Sequence, residues 1–234
     1  MSQTQRLLVI GSSGSGKTSL VQEIIDLYEA QQKYTYLVVL TTDSAEESPL
    51  SDMCAVQAEL NNDNVDQPIK WRDLLQDNGS LFLEINAEEP HDQLERLSVA
   101  IMSLGNTLFV CDEAYQILNK NIGIRTKELY KRGRKRGVHC ITISTSIMQR
   151  PDGGLNPAVV NEFTGLVCFL KNEPNEVTKL KAIAPEFSDQ LEYLKTPHDG
   201  GKPEYCVLHA PTRRALAVRR DGEQDISFRP AERR

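Results

Sequence analysis

Gly11-Ser12-Ser13-Gly14-Ser15-Gly16-Lys17-Thr18, followed by Ser19, matches the pattern GxxxxGK[ST] at every fixed position. Before it, Arg6 to Ile10 form a short apolar run that ends at the glycine. After it, Leu20, Ile24 and Leu27, with Val21, Ile25 and Tyr28, recur at helical spacing. The reading is strand, loop, helix. Glycines at 11, 14 and 16 let such a loop wrap an anion with its backbone N–H groups, and the helix N-terminus adds partial positive charge. In that geometry Lys17 reaches the outer phosphates of a nucleotide and the Thr18 hydroxyl ligates a divalent cation. Residues 11–19 are therefore the candidate phosphate site.

A loop of this kind needs a carboxylate on the metal side, usually at the end of a neighbouring apolar strand. Leu108-Phe109-Val110-Cys111-Asp112-Glu113 supplies one. Asp112, with Thr18, is the candidate magnesium residue, and Glu113 is placed to polarise a water for attack on a γ-phosphate. Phosphotransfer to a small acceptor generally needs no water-activating glutamate, so Glu113 favours hydrolysis. The expected ligands are ATP and Mg2+.

Further along, apolar and β-branched runs alternate with helical patterns. Strands are expected at 34–40, 80–85, 107–111, 138–144 and 165–170, and helices at 94–104, 124–136, 157–163, 177–183 and 187–194. Residues 43–67 read as loop with one short helix. Tyr205 to His209 and Ala215 to Val218 are expected to pair as a hairpin at one sheet edge. The alternation gives an α/β fold with a mainly parallel central sheet flanked by helices. The 234 residues suit one domain with an extension: a core over 1–185 and a C-terminal part, 186–234, packed on it and ending in an Arg-rich tail.

Composition narrows the class. At 39% hydrophobic and 26% charged residues the chain is globular, which excludes disordered and collagen-like types. No apolar run approaches the ~18 residues of a spanning helix, and MSQTQRLLVIG lacks the plan of a secretion signal, so the expectation is a cytoplasmic protein without a membrane span. Five cysteines with no CxxC pairing read as buried thiols. The net charge of −6 argues against binding nucleic acid by bulk charge, but the charges are segregated. Residues 43–66 carry seven acids and no Lys or Arg, whereas 120–136 carry eight basic residues against Glu128 alone. His139, Trp71 and the remaining histidines sit in no motif and read as packing residues.

Taken together, the loop, the strand ending in Asp112-Glu113, the run Arg132-Gly133-Arg134-Lys135-Arg136-Gly137-Val138-His139, and Gln149-Arg150-Pro151 ahead of Asn156 to Asn161 resemble the HerA/FtsK group of RecA-like DNA-pumping ATPases. The resemblance covers about residues 5–172. Lacking membrane helices and accessory domains, the chain is most similar to the compact genome-packaging ATPases of icosahedral viruses with an internal membrane. The resemblance implies a RecA-like P-loop NTPase that hydrolyses ATP to translocate double-stranded DNA without regard to sequence. It also implies a ring of identical subunits, a capsid or portal-vertex protein as partner, and residence in the host cytoplasm or at a virion vertex.

It implies site residues too. Ring-forming relatives complete each site with a neighbour's arginine, for which Arg132, Arg134 and Arg136 are candidates; the same residues are candidates for gripping DNA phosphates in a central pore. Relatives place a γ-phosphate-sensing glutamine where this sequence has Thr145, and Gln149 follows four residues later, so Gln149, Thr145 and Ser146 are the candidate sensors. Two other classes fit the loop: a motor ATPase for phage assembly or export, resembling zonula occludens toxin proteins, and a P-loop phosphotransferase. A nucleotide-binding structural subunit without turnover is disfavoured by Glu113.

Overall fold

The computed structural model describes residues 4–119, 121–147, 154–171, 173–187, 191, 194, 204–218, 220–221 and 224–225. In chain order the elements are β1 (Arg6–Ile10), α1 (Lys17–Ala30), β2 (Tyr36–Thr41), β3 (Val56–Leu60), α2 (Trp71–Asn78), β4 (Ser80–Ile85), α3 (His91–Leu104), β5 (Thr107–Cys111), α4 (Ala114–Ile117) and α5 (Ile124–Arg132). They continue with β6 (His139–Ser144), α6 (Pro157–Val160), β7 (Gly165–Phe169), α7 (Pro174–Ile183), β8 (Tyr205–His209) and β9 (Arg214–Val218).

Among the described residues nine strands form one sheet in the order β3-β4-β2-β5-β6-β1-β7-β8-β9, and two further two-residue strands, Arg220–Asp221 and Gln224–Asp225, pair antiparallel with each other. Pairing is parallel from β3 to β7 and antiparallel across β7-β8 and β8-β9. Helices cover both faces, so the inner strands are apolar on both sides and read as near-continuous hydrophobic runs rather than alternating ones. On one face Val9, Val39, Val110 and Ile141 pack with Val21, Ile25 and Tyr28 of α1. On the other, Leu8, Ile10, Leu40 and Phe109 pack with Leu97 and Ile101 of α3 and Leu129 and Tyr130 of α5. Each such side chain, when fully buried, contributes roughly 1.5–3 kcal/mol of transfer free energy.

The expected mainly parallel sheet and the C-terminal hairpin are both present, and β8 joins the hairpin directly to β7. Three expectations need correcting. The stretch 43–67 holds not only a short 3₁₀ turn (Ser51–Met53) but an edge strand, β3. In it Leu60 is buried while Gln57 and Glu59 face solvent, so its polar residues are the outward half of a strand pattern. Trp71 opens an unforeseen helix, α2, in which it and Leu75 are buried one turn apart. The helix expected over 124–136 ends at Arg132, and Gly133–Arg136 tighten into a 3₁₀ turn, because Gly133 is buried against Val138 and Gly137 turns left-handed at φ 76°. The helix expected over 187–194 falls mostly outside the described residues, as does the end of the Arg-rich tail.

The packing reading stands for His139 and Trp71 but not for His209, which is exposed at the end of β8. His139 is buried and accepts a hydrogen bond from the Gln5 amide, and Trp71 donates to Gln93. All five cysteines are free thiols, four of them buried. No helix among the described residues is long and apolar enough to cross a membrane.

Candidate nucleotide site

The sheet order sets β5, β6, β1 and β7 side by side, so the loops leaving their C-terminal ends converge, which is where open parallel sheets place their ligands. The phosphate loop leaves β1 and is tied to both neighbours. Gly11 N–H donates to Ser144 O at 3.3 Å, and Ser12 donates through both its amide and its hydroxyl to Leu170 O at 3.3 and 3.2 Å. A side chain at 11 has no room, since a Cβ there would lie 2.6 Å from Phe169 Cβ. Gly16, at φ 90°, turns the chain into α1.

Lys17 is buried and folds back, its Nζ donating to Ser12 O at 2.9 Å within its own loop. Burial pushes its pKa down, while the charges of Glu113 and Asp112 oppose the shift and that of Lys171 adds to it. Ser15 is buried with an unpartnered hydroxyl.

The Asp-Glu pair arrives from β5, which is not adjacent to β1: β6 lies between them. Asp112 is 4% exposed and accepts from Thr18 Oγ1 at 3.2 Å and from Glu113 N–H at 2.8 Å. Thus the two residues expected on the metal side touch. Burial raises the Asp112 pKa against the lowering effect of those two hydrogen bonds. Glu113 begins α4 with a left-handed backbone, φ 45° and ψ 38°, a conformation costing a non-glycine residue about 1–3 kcal/mol. Its Oε2 is buried and unpartnered, and its pKa is raised by burial first and by the Asp112 charge second.

These residues fit a bound nucleotide and cation. Orphaned polar atoms at Ser15 and Glu113, a buried lysine and a paired Thr–Asp lie in the phosphate loop, at the start of α1 and at the end of β5, an arrangement costly to keep unless charged ligands complete it. Magnesium would be held by Thr18 and Asp112 and would neutralise developing phosphate charge.

The remaining candidates divide. Thr145 and Ser146 follow β6 beside the loop. The Ser146 hydroxyl is committed to Glu176 Oε1 at 2.5 Å, which leaves the Thr145 hydroxyl as the available one among described residues. Gln149 lies outside the described residues. Arg132, Arg134 and Arg136 are exposed at the opposite, N-terminal ends of the strands, where Arg136 O accepts from Asn106 N–H ahead of β5. At ~3.3 Å per residue, six-residue β6 alone separates that edge from the chain's own loop by roughly 20 Å. Arg132 pairs with Glu128 at 3.5 Å; Arg134 and Arg136 have no carboxylate partner among the described residues.

Two charged residues at this rim escaped the sequence reading. Asp43 follows β2 and pushes up the pKa of both Asp112 and Glu113, and Lys171 follows β7. Neither belongs to a motif; the usable signal is position, one or two residues beyond an apolar strand.

A phosphate loop on β1, a carboxylate pair on the next strand but one and a mainly parallel sheet between helices define a RecA-like P-loop NTPase fold. No family model and no curated protein matches the chain. Among solved structures it is similar to the genome packaging NTPase B204 from Sulfolobus turreted icosahedral virus 2 in complex with ATP-gammaS, at 18% identity and TM-score 0.68, covering 93% of this chain and 98% of that one. The DNA-packaging ATPase B204 from Sulfolobus Turreted Icosahedral Virus matches at 16% identity and TM-score 0.69, covering 94% and 100%. The cytoplasmic domain of EssC matches 98% of this chain but 40% of its own length, at 11% identity and TM-score 0.52. These likenesses show the shared fold.

Proposed function

We propose that this chain hydrolyses ATP to translocate double-stranded DNA, as a subunit of a ring that packages a viral genome. The carrying observation is the site itself: Thr18 and Asp112 in contact, Lys17 buried beside them, and Glu113 with an unpartnered carboxylate oxygen on the same rim. The near-complete mutual coverage with two packaging NTPases supports the finer reading, since no large part of either chain lacks a counterpart in the other.

In this reading the loop amides and Lys17 hold the β- and γ-phosphates. Glu113 takes a proton from the attacking water, which its raised pKa suits. An arginine from the adjoining subunit, one of Arg132, Arg134 and Arg136, stabilises charge that develops on the phosphoryl group. Their place at the far edge from their own loop suits service to a neighbour, and their exposure suits contact with DNA phosphates as well. Phosphate release measured with and without duplex DNA, beside sizing of the oligomer with ATP present, tests the proposal. Duplex-stimulated turnover in a multimer is expected; turnover indifferent to DNA in a monomer would overturn it.

A further inference from the structure

Lys17 and Lys171 are the two lysines buried among the described residues, at 6% and 7% exposure, and only the first belongs to the phosphate motif. Lys171 follows Leu170, whose carbonyl accepts both hydrogen bonds from Ser12, so the second ammonium enters from the strand that walls the phosphate loop. Its Nζ donates to Thr145 O at 2.6 Å, with Glu173 Oε1 4.0 Å away. An ammonium has three donors, and one backbone carbonyl takes one of them. Burying such a group is costly unless anions share it, and the Glu173 carboxylate, 53% exposed and at the outer limit of ion-pair distance, shares it only weakly. The anion that belongs beside Ser12 and Lys17 is a nucleotide phosphate.

The segment Lys171 holds is tethered from its other side. Glu176, fully buried in the first turn of α7, accepts from Ser146 Oγ at 2.5 Å and from Ile147 N–H at 3.0 Å. Ser144 Oγ donates to Ser146 O at 2.6 Å, and Ser144 O accepts from Gly11 N–H. Residues 144–147 are therefore fixed by the phosphate loop, by β7 and by α7 at once.

We propose that Lys171 is a second nucleotide-contacting cation that reads the terminal phosphate, and that Glu176 is a positioning residue holding 145–147 so that Lys171 and Thr145 meet it. This rests on the reading of the loop as an ATP site. A diphosphate lacks the group Lys171 addresses, so the residue serves discrimination between triphosphate and diphosphate rather than affinity in general.

Titration calorimetry of the full chain with Mg-ATPγS and with Mg-ADP tests it, alongside the melting temperature of each variant. Lys171→Met is expected to weaken ATPγS at least about tenfold while ADP stays within about twofold, Lys171→Arg to restore part of the difference, and Glu176→Gln to shift the ratio the same way by less. Parallel loss for both nucleotides, or no loss for either, assigns Lys171 to structure alone and overturns the proposal. Should Lys171→Met not fold, an unchanged ATPγS-to-ADP ratio in both Lys171→Arg and Glu176→Gln overturns it equally. Wild-type protein that binds neither nucleotide contradicts the ATP site itself, an outcome distinct from a failure of Lys171 alone.

Discussion

Glu113 carries a left-handed backbone, an unpartnered buried oxygen and a raised pKa in one residue, the kind of local cost that a working group repays. As the base it must be ionised, so turnover should fall with decreasing pH along a limb lying above the ordinary glutamate range. Glu113→Gln should bind Mg-ATP normally and turn over at least about a hundredfold more slowly. If affinity falls and turnover of bound ATP does not, Glu113 is a metal-side or structural residue. The same shift bears on stability. Because the folded state holds this proton more tightly than the unfolded one, ionisation at neutral pH costs stability that is regained as pH falls. The Gln variant should thus melt higher than wild type near pH 7, with the gap closing in acid; a gap constant with pH would contradict the shift. Lys17→Ala should lose nucleotide binding while still unfolding in one cooperative transition. Lys17, Thr18, Asp112 and Glu113 were legible because their spacing is local and their chemistry specific. Lys171 and Glu176 were not, because their partners Thr145 and Ser146 lie 26 and 30 residues away and no pattern links them.

The helix that delivers the arginine segment is held by a borrowed cap. Glu95 of α3 accepts hydrogen bonds from Arg125 N–H, Thr126 N–H and Thr126 Oγ1, each at 2.8 Å, at the start of α5. The approach needs glycine at 123, where a Cβ would strike the Glu95 carboxylate. Burial alone would raise the Glu95 pKa, but the three hydrogen bonds and the Arg125 charge together bring it below the usual value. Glu95→Ala should cost about 0.5–2 kcal/mol, as for loss of an N-cap, and speed amide exchange at Arg125 and Thr126; an unmoved denaturation midpoint would refute the cap. Its contribution should be present at neutral pH and lost as pH falls through that lowered value. At this scale the long periodic elements, α1, α3 and the inner strands, were readable from the sequence. β3 was not, because an edge strand with one outward acid-bearing face looks like polar loop. The end of α5 was not, because the turn at Gly133 depends on packing against Val138 rather than on helix propensity.

Across the whole molecule the charge segregation becomes geometry. The acid-rich segment 43–66 runs from the end of β2 through the edge strand β3 and into the turn after it, while the exposed basic run lies at the end of α5 and the turn that follows, where the strands begin. If that run grips backbone phosphates, duplex binding should be indifferent to sequence and fall steeply with salt, with each neutralised contact reducing the salt slope by roughly one unit. If one arginine instead completes a neighbour's site, mixing its Ala variant into wild-type protein should depress hydrolysis more than in proportion to the mutant fraction. Strictly linear loss for Arg132, Arg134 and Arg136, with the oligomer intact, would exclude an intersubunit role for this segment. The most direct test of the central claim is displacement of a triplex-forming strand from duplex DNA. The account predicts displacement with ATP and none with ATPγS or with the Lys17→Ala variant; a triplex left intact while ATP is hydrolysed would contradict translocation on duplex DNA.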